Sequence, residues 1–556
     1  MMKAINETRK VAKSAILIMM FLLISKFLGF FRDILIASKF GSGMETDAYF
    51  VASTACVFFI GIIGNGLSVT LVPIISGTEE SSITKNFIYR FKSLGFITIS
   101  GKGNKIRYNC KTESGSLKNT DNYISNLLNI IILFALVVSL MTWFGAPLLV
   151  KVFAKGFKGN QFILAVELTK IGVPMVFFIA CSSIFSGLLQ GKEKFNTTAA
   201  IGIPYNIVFI IFLLFYSERF GIRGLMIASV FAVSSQFLLQ AYSVHKLNYS
   251  YKPKLNFKDK DIINTLYIIA PVVIGTMVDK INSIVDKTLA SELTKGSISA
   301  LNYSNRLNSL ILNVFVIGIT TVIYPMLSKE FSNRNIDSAQ SILKKGMNII
   351  LLIIIPTTVG IMILSTPIIK LLLERGAFDS NATRMTSLAL VFYSIGLIGM
   401  SLRNIFNKTF YSFKDTKTPM KNGVLTVIIN IILNLILVKT MAHVGLALGT
   451  SIAEISGALL LLFNLRRKIG GIGLKYYTVY LGKLGISAGV MGIFVYFLNT
   501  FLSNIGSSNI LSLIFLILTI LSGGIIYLVL CYLLKIEEVK LLVKYIKEFI
   551  LRKRCL

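Results

Sequence analysis

The chain has 556 residues, 54% of them hydrophobic, with a formal net charge of +32 and a mean hydropathy of +0.74. No soluble protein of this length needs so much apolar surface, and the excess of 57 Lys+Arg over 25 Asp+Glu lies largely in short stretches between apolar runs, so nucleic acid is not an expected partner. Five cysteines form no C-x-x-C pair, and the two histidines sit near segment ends, which argues against a histidine metal site or a Ser-His triad.

From the N-terminus, Met1 to Lys13 carries four cations ahead of an apolar run that no small-residue cleavage site follows, so this run reads as a retained first span. Apolar segments then recur at about 14–37, 48–75, 124–150, 161–189, 197–216, 222–244, 262–291, 298–327, 346–373, 385–411, 422–438, 445–464, 477–501 and 509–534. They are continuous rather than alternating, which excludes a β-barrel and predicts an all-α polytopic membrane protein with 14 transmembrane helices. With the N-terminus in the cytoplasm, the cytoplasmic pieces hold 37 of the 57 Lys and Arg and the external loops ten, counting Arg223 at a loop edge. That asymmetry places both termini inside. The hydrophilic stretch Glu79 to Tyr123 reads as a basic cytoplasmic loop without the spacing of a phosphate loop, and no ATPase motif occurs elsewhere, so any transport is expected to be secondary. The tail, Lys535 to Leu556, is basic with apolar residues at helical spacing, as expected of an interfacial helix on anionic membrane lipids.

The chain repeats itself. VTLVPIIS (Val69–Ser76) resembles TTVIYPMLS (Thr320–Ser328), with Pro73 and Pro325 252 apart. SIFSGLLQGKEKF (Ser183–Phe195) resembles NIFNKTFYSFKDT (Asn404–Thr416), with Lys192 and Lys414 222 apart, and GLMIAS (Gly224–Ser229) resembles GLALGT (Gly445–Thr450) at 221. Two six-helix lobes in the same orientation follow, at 1–245 and 246–468, with two further helices over 469–534 and the tail at 535–556. The fall in offset places about 30 inserted residues in the loop at 77–123. Parallel repeats predict a substrate site between the halves.

Charges at hydrocarbon depth point to what that site holds. Lys26, Arg32 and Asp33 lie in the first segment, Asp279, Lys280, Asp286 and Lys287 in the seventh, and Arg306 in the eighth. A cation at the centre of a span costs ~2.5–3.5 kcal/mol on insertion scales, so such charges face a wet cavity or meet a partner. Asp279 and Asp286, like Lys280 and Lys287, are seven apart and share a helix face. Five cations against three acids suit an anionic substrate, and arginine suits phosphate oxygens. Internal ion pairs holding the lobes together are the alternative. Lys170, Lys370 and Lys483 lie near segment ends, and Arg403 and Lys408 approach a cytoplasmic end, where all five can snorkel. A second constellation, Asp286 with Asn430, Asn434 and Thr450, offers oxygens from three helices to a small hard cation such as Na⁺, or ordinary interhelical hydrogen bonds.

Several stretches together resemble a known family: SKFLGFFRDILIASKFGSGMETDAYFVA (Ser25–Ala52), VDKTLAS (Val285–Ser291), ALNYSNRL (Ala300–Leu307), ERGAFDSNAT (Glu374–Thr383) and FYSFKDTKTP (Phe410–Pro419). They resemble the MurJ/MviN lipid II flippases of the multidrug/oligosaccharidyl-lipid/polysaccharide exporter superfamily, over roughly residues 10 to 465. The resemblance implies two lobes alternating access around a central cationic cavity, with undecaprenyl-pyrophosphate-linked disaccharide-pentapeptide as cargo and the cell-wall synthesis machinery as neighbour. Its cavity arginines fall on Lys26, Arg32 and Arg306, and Asp33 and Asp47 also match. The sodium ligands of some members fall on Asp286, Asn430, Asn434 and Thr450 with the Leu446 carbonyl; no other cofactor is implied. Three departures stand out. Lys26 replaces an arginine, Asn434 is neutral where the family can carry an acid, and STACVFFIGIIGNG (Ser53–Gly66) lacks the cation that the family's second helix carries. Rival expectations are a flippase for another polyprenyl-diphosphate glycan, a cation or drug antiporter of the same superfamily, and a non-transporting membrane scaffold. An enzyme is not expected, because no acid/base or nucleophile constellation occurs.

Overall fold

The computed structural model describes residues 2–76, 120–471, 473–503 and 509–554. The expected loop lies outside the described residues up to 119. Among the described residues the regular structure is entirely helical. In chain order the helices are α1 (Met2–Phe40), α2 (Met44–Ser76), α3 (Thr120–Phe144), α4 (Ala146–Phe153), α5 (Gly159–Gly172), α6 (Pro174–Gly191), α7 (Phe195–Ala200), α8 (Gly202–Phe215), α9 (Ser217–His245) and α10 (Lys260–Ser291). They continue with α11 (Ser297–Ile311), a π turn at Leu312–Val316, α12 (Ile317–Ser332), α13 (Ile336–Leu373), α14 (Ser380–Ser412), α15 (Lys417–Ile469), α16 (Leu474–Ser503), α17 (Asn509–Leu533) and α18 (Glu537–Arg554).

Eleven helical stretches among the described residues are long and apolar enough to cross a membrane. Twelve of the fourteen expected segments fall on these eleven; 14–37 falls on α1 and 262–291 on α10. The doubling arises in α15, whose 53 residues would run roughly 80 Å if straight, against a hydrocarbon core of about 30 Å. Its backbone breaks at Ala442 (φ 50°, ψ −134°), between the segments expected at 422–438 and 445–464.

That break also fixes the register of the repeat. Gly221 in α9 has φ 55° and ψ −151°, and lies 221 residues before Ala442. The turns that end α6 and α14 obey the same offset: Glu193 and Lys414 share φ near 60°, and Lys194 N donates to Leu189 O as Asp415 N donates to Phe410 O. Lys414 therefore corresponds to Glu193. The pairing of Lys192 with Lys414 is one residue out, because backbone geometry rather than charge is what repeats at this turn.

By contacts the chain gathers into two compact units. Unit 1 comprises Met1–Leu35, Ala48–Phe153 and Lys158–Lys280; unit 2 comprises Ile36–Asp47, Ala154–Phe157 and Ile281–Leu556. The first helix of each repeat, α1 and α10, is divided between them.

In unit 1, Ile60, Leu67 and Leu71 of α2 pack with Ile124 and Leu127 of α3 and Ile184 of α6. Lipid offers apolar side chains as much as a neighbouring helix does, so close approach rather than water exclusion holds such helices together. Gly187 and Gly191 of α6 provide it: a Cβ on either would come within 2.7 Å of the Cβ of Leu71 or Ile75 respectively.

Unit 2 is built around α14, which packs on α11, α13 and α15. Side chains of its neighbours donate to α14 carbonyls: Ser304 to Thr386 O (2.7 Å), Asn308 to Tyr393 O (2.9 Å) and Ser451 to Phe392 O (2.6 Å). Ala442 adopts a left-handed conformation that only glycine enters freely. Ala442→Gly is expected to raise the thermal midpoint of the purified full chain, by the equivalent of about 1 kcal/mol; an unchanged or lower midpoint would show that the break carries no strain.

Candidate functional site

The first polar site lies in unit 1, where α1 meets α8. Arg32 is 9% exposed. Its Nε and Nη2 both donate to Asp33 Oδ1, at 3.0 and 2.7 Å, and Nη1 donates to Asn206 Oδ1 at 3.1 Å. The guanidinium carbon lies 5.4 Å from the Tyr205 ring centre and 5.2 Å from that of Phe209, so two aromatic faces add cation–π attraction. Asn206 is held in turn, donating to Ser25 O at 3.0 Å and Gly202 O at 2.7 Å. The result is a rigid, desolvated guanidinium with an adjacent carboxylate on the same helix. Lys26, on the same helix, is exposed, as is Lys280. The Asp279 side chain lies outside the described residues.

The second site is in unit 2, at the turn between α1 and α2. Asp47 is 2% exposed. Its Oδ2 accepts from Gly296 N at 2.7 Å, and its Oδ1 accepts from Ser299 N at 2.8 Å and Ser299 Oγ at 2.6 Å. The residue preceding α11 is Gly296, which has no side chain to cap the helix, so Asp47 caps it from elsewhere in the chain. Ser42 Oγ donating to Gly296 O (3.0 Å) and Tyr303 Oη donating to Gly41 O (3.2 Å) fasten the same turn.

The third site, also in unit 2, is a chain of polar contacts between α10 and both halves of α15. Asn434 Nδ2 donates to Asp286 Oδ1 at 2.6 Å and to Asn430 Oδ1 at 2.9 Å. Asn430 Nδ2 donates to Thr450 Oγ1 at 3.2 Å, and Thr450 Oγ1 donates to Leu446 O at 3.0 Å. The five residues expected to offer oxygens to a cation thus form one continuous cluster. A small open cleft reaches Asp286 and is lined also by Ser283, Lys287, Asn302, Asn305 and Tyr393. Arg306, one turn beyond Asn302 on α11, is exposed.

The FYSFKDTKTP motif forms the turn from α14 into α15. Asp415 accepts from the amides of Lys417 and Thr418 (both 3.1 Å), from Thr418 Oγ1 (2.9 Å) and from Lys468 Nζ, whose ammonium also lies over the Phe410 and Phe413 rings. Partial burial pushes the Asp415 carboxyl up, but Lys468 and Thr418 together hold it below the ordinary carboxylate value.

Two of the residues near a cytoplasmic helix end have partners within the chain. Arg403 Nη1 donates to Glu454 Oε1 at 2.7 Å in a largely buried ion pair between α14 and α15, and Lys408 Nζ lies 5.3 Å from the Tyr324 ring centre. Glu454, Asn206 and Tyr393 were not singled out from the sequence. Asn206 carries the clearest signal, as a lone amide within the apolar run 202–215.

These features define a polytopic helical membrane protein with an internal repeat, in which several buried ionic and amide groups among the described residues are bonded to one another. A family model described as "Lipid II flippase MurJ" matches residues 108–517. "Probable lipid II flippase MurJ" of Buchnera aphidicola subsp. Baizongia pistaciae is 30% identical, over 94% of this chain and 97% of its own length; that of Vibrio cholerae is 29% identical over 88% and 89%. Among solved structures, a lipid II flippase MurJ in an inward closed conformation matches with a TM-score of 0.73 and 27% identity, covering 93% of this chain and 98% of its own. An inward-facing multidrug resistance MATE family transporter of the MOP superfamily matches with a TM-score of 0.62 at 15% identity over 82% of this chain, which shows the shared fold. The chain belongs to the lipid II flippase MurJ family.

Two outcomes follow from the site geometry. Asp47→Ala strands the amides at the start of α11 and should destabilise the full chain by about 2 kcal/mol, with Asp47→Asn intermediate; an unshifted thermal midpoint would mean the cap is dispensable. Asp415, with its lowered value, contributes stability that is present above the ordinary carboxylate range and is lost as pH falls through the lowered value. Thermal midpoints between about pH 5 and pH 3 should therefore fall less steeply for Asp415→Asn than for wild type.

Proposed function

We propose that this chain is a lipid II flippase: a secondary transporter, not an enzyme, that carries the lipid-linked peptidoglycan precursor from the inner to the outer leaflet of the cytoplasmic membrane by alternating access. The family membership supports the class, and the positive-inside asymmetry supports cytoplasmic termini. The observation that carries the chemistry is the Arg32 site. Asp33 spends one oxygen on two of the five guanidinium N–H groups, while Asn206, Tyr205 and Phe209 hold the plane in place. Such a guanidinium is oriented before its ligand arrives, and a diphosphate oxygen can take over the bonds that Asp33 makes. Lys26, exposed on the same helix, adds cationic charge without the paired-donor fork of an arginine, and Arg306, exposed in unit 2, is a further cation that Arg306→Ala tests on its own. The polyprenyl tail stays in lipid throughout.

The donor set at the third site suits a small hard cation. Asp286, Asn430, Asn434, Thr450 and the Leu446 carbonyl supply only oxygen, and Asn434 Oδ1 is buried without a hydrogen-bond partner. These residues would hold sodium, which supplies a positive charge opposite Asp286 when bound. The tail helix α18 is rooted by buried Ile536 and Val539 and by Glu538, which accepts from Asn348 (2.6 Å) and Tyr480 (3.3 Å). Leu541 and Leu542 beyond the root are exposed, consistent with a helix lying on an anionic leaflet; the cell-wall synthesis machinery as a neighbour rests on the family membership alone.

The test is appearance of lipid II in the outer leaflet of cells depleted of their own flippase. Wild type should restore it; Arg32→Ala and Arg306→Ala, at matched membrane levels, should cut it about tenfold or more. A folded, inserted wild type that fails to rescue would remove the peptidoglycan assignment and favour another polyprenyl-diphosphate glycan, consistent with the cation-free Ser53–Gly66 stretch.

A further inference from the structure

Asn434 is fully buried on the first half of α15. Its amide nitrogen sits between two oxygens, 2.6 Å from Asp286 Oδ1 and 2.9 Å from Asn430 Oδ1, and spends both N–H bonds on them. That is the place a small cation would take. Its amide oxygen points the other way, is buried with no donor, and lies against Gly449, 2.2 Å from where a Cβ on that residue would stand. A buried amide oxygen without a donor is a standing cost that native structures rarely leave uncompensated. Around it, every other member of the cluster meets a partner within the cluster: Asn430 Nδ2 meets Thr450, and Thr450 meets the Leu446 carbonyl.

We infer that Asn434 is a built-in substitute for the cation. With no ion present, its NH₂ group bridges Asp286 and Asn430 and keeps the site closed on itself. For these residues to hold a cation, that NH₂ would have to give way, and a half-turn of the amide would bring its unpartnered oxygen round towards those of Asp286 and Asn430. Amide NH₂ and oxygen are nearly equal in size, so the space left by Gly449 admits either, but the turned NH₂ gives up both of its hydrogen bonds there, a cost that binding of the ion has to offset. This rests on the cation-site reading above, and it makes that site's ion dependence weak and conditional. The ion must replace two existing hydrogen bonds, and it meets one carboxylate rather than two. An acid at this position would behave in the opposite way: two ionised carboxylates facing each other need a cation between them.

The experiment uses purified full-length protein in detergent at pH 8, with thermal unfolding midpoints measured against NaCl at ionic strength held constant with choline chloride. Wild type should be as stable in choline as in low sodium and respond only to high sodium. Asn434→Asp should be less stable than wild type in choline and reach its half-maximal sodium stabilisation at a concentration about tenfold or more lower. Asp286→Asn/Asn434→Asp, which restores one acid and one amide, should return the wild-type stability in choline. Equal sodium responses of wild type and Asn434→Asp would overturn the substitute role while leaving the cation site standing. No sodium response in either, with equal stability in choline, would remove the site itself. If Asn434→Asp folds only in sodium, the inference is supported. If it folds in neither salt, the swapped pair decides: wild-type stability in choline supports the inference, and failure to recover sinks it.

Discussion

Inside a bilayer a polar group has no water to turn to, so each buried donor and acceptor must find its partner within the chain. Arg32 shows how strictly this applies. Its guanidinium meets Asp33, Asn206 and two aromatic faces, and Asn206 is itself tied to two carbonyls. The same demand shapes unit 2, where hydroxyls and amides of α11 and α15 donate to carbonyls of α14 that already serve their own helix. Packing alone would not select these partners, because lipid competes with every apolar contact. Polar satisfaction gives the helices their register.

A transporter adds a second demand: its internal bonds must be replaceable. A carboxylate next to a cation in sequence meets it cheaply, because the pair forms without distant parts of the chain. Asp33 beside Arg32 has that arrangement. The Arg403–Glu454 pair is of the other kind, joining residues 51 apart across two helices, and breaking it would disturb their packing. Between these two ion pairs, separation along the chain therefore distinguishes a bond that forms locally from one that ties two helices together. Asp47 likewise ties the α1–α2 turn to residues 249 and 252 further on, at the start of α11.

How much of this was legible in the sequence follows from the range of each interaction. Hydrocarbon thickness imposes a length on every span, so the apolar segments stood out, and each falls on one helix or on consecutive helices. Parallel duplication leaves matching turns, so the repeat was visible, although its register at Lys414 needed the backbone angles. The cluster of Asp286, Asn430, Asn434 and Thr450 was legible because amides and hydroxyls one turn apart, deep in apolar runs, have few reasons to be there; the Leu446 carbonyl entered only through the family resemblance. Partners contributed by distant helices were not legible. Asn206 as acceptor for Arg32, Glu454 as counter-ion to Arg403 and Gly296 as the object of Asp47 depend on which helices adjoin, and spacing along one helix says nothing about that.

The contrast between Arg32 and Asn434 carries the synthesis one step further. On the two proposals above, each would hold a place for a ligand by means of a group that imitates it: the Asp33 carboxylate, bonded to Arg32, in place of a phosphate oxygen, and the Asn434 amide NH₂, bonded to Asp286, in place of a cation. A carrier that must cross its cycle empty as well as loaded cannot leave bare charges in a low-dielectric interior, where an unpaired ion costs several kcal/mol. Internal stand-ins remove that cost from the empty state. They also weaken binding, since each ligand must displace what already occupies its place. Weak binding suits a carrier that releases its load on the far side, because a site with no internal competitor would hold its ligand through the whole cycle. The neutral Asn434, which looks like a loss when compared with an acid, would on that proposal be what lets the site close on itself through its bonds to Asp286 and Asn430.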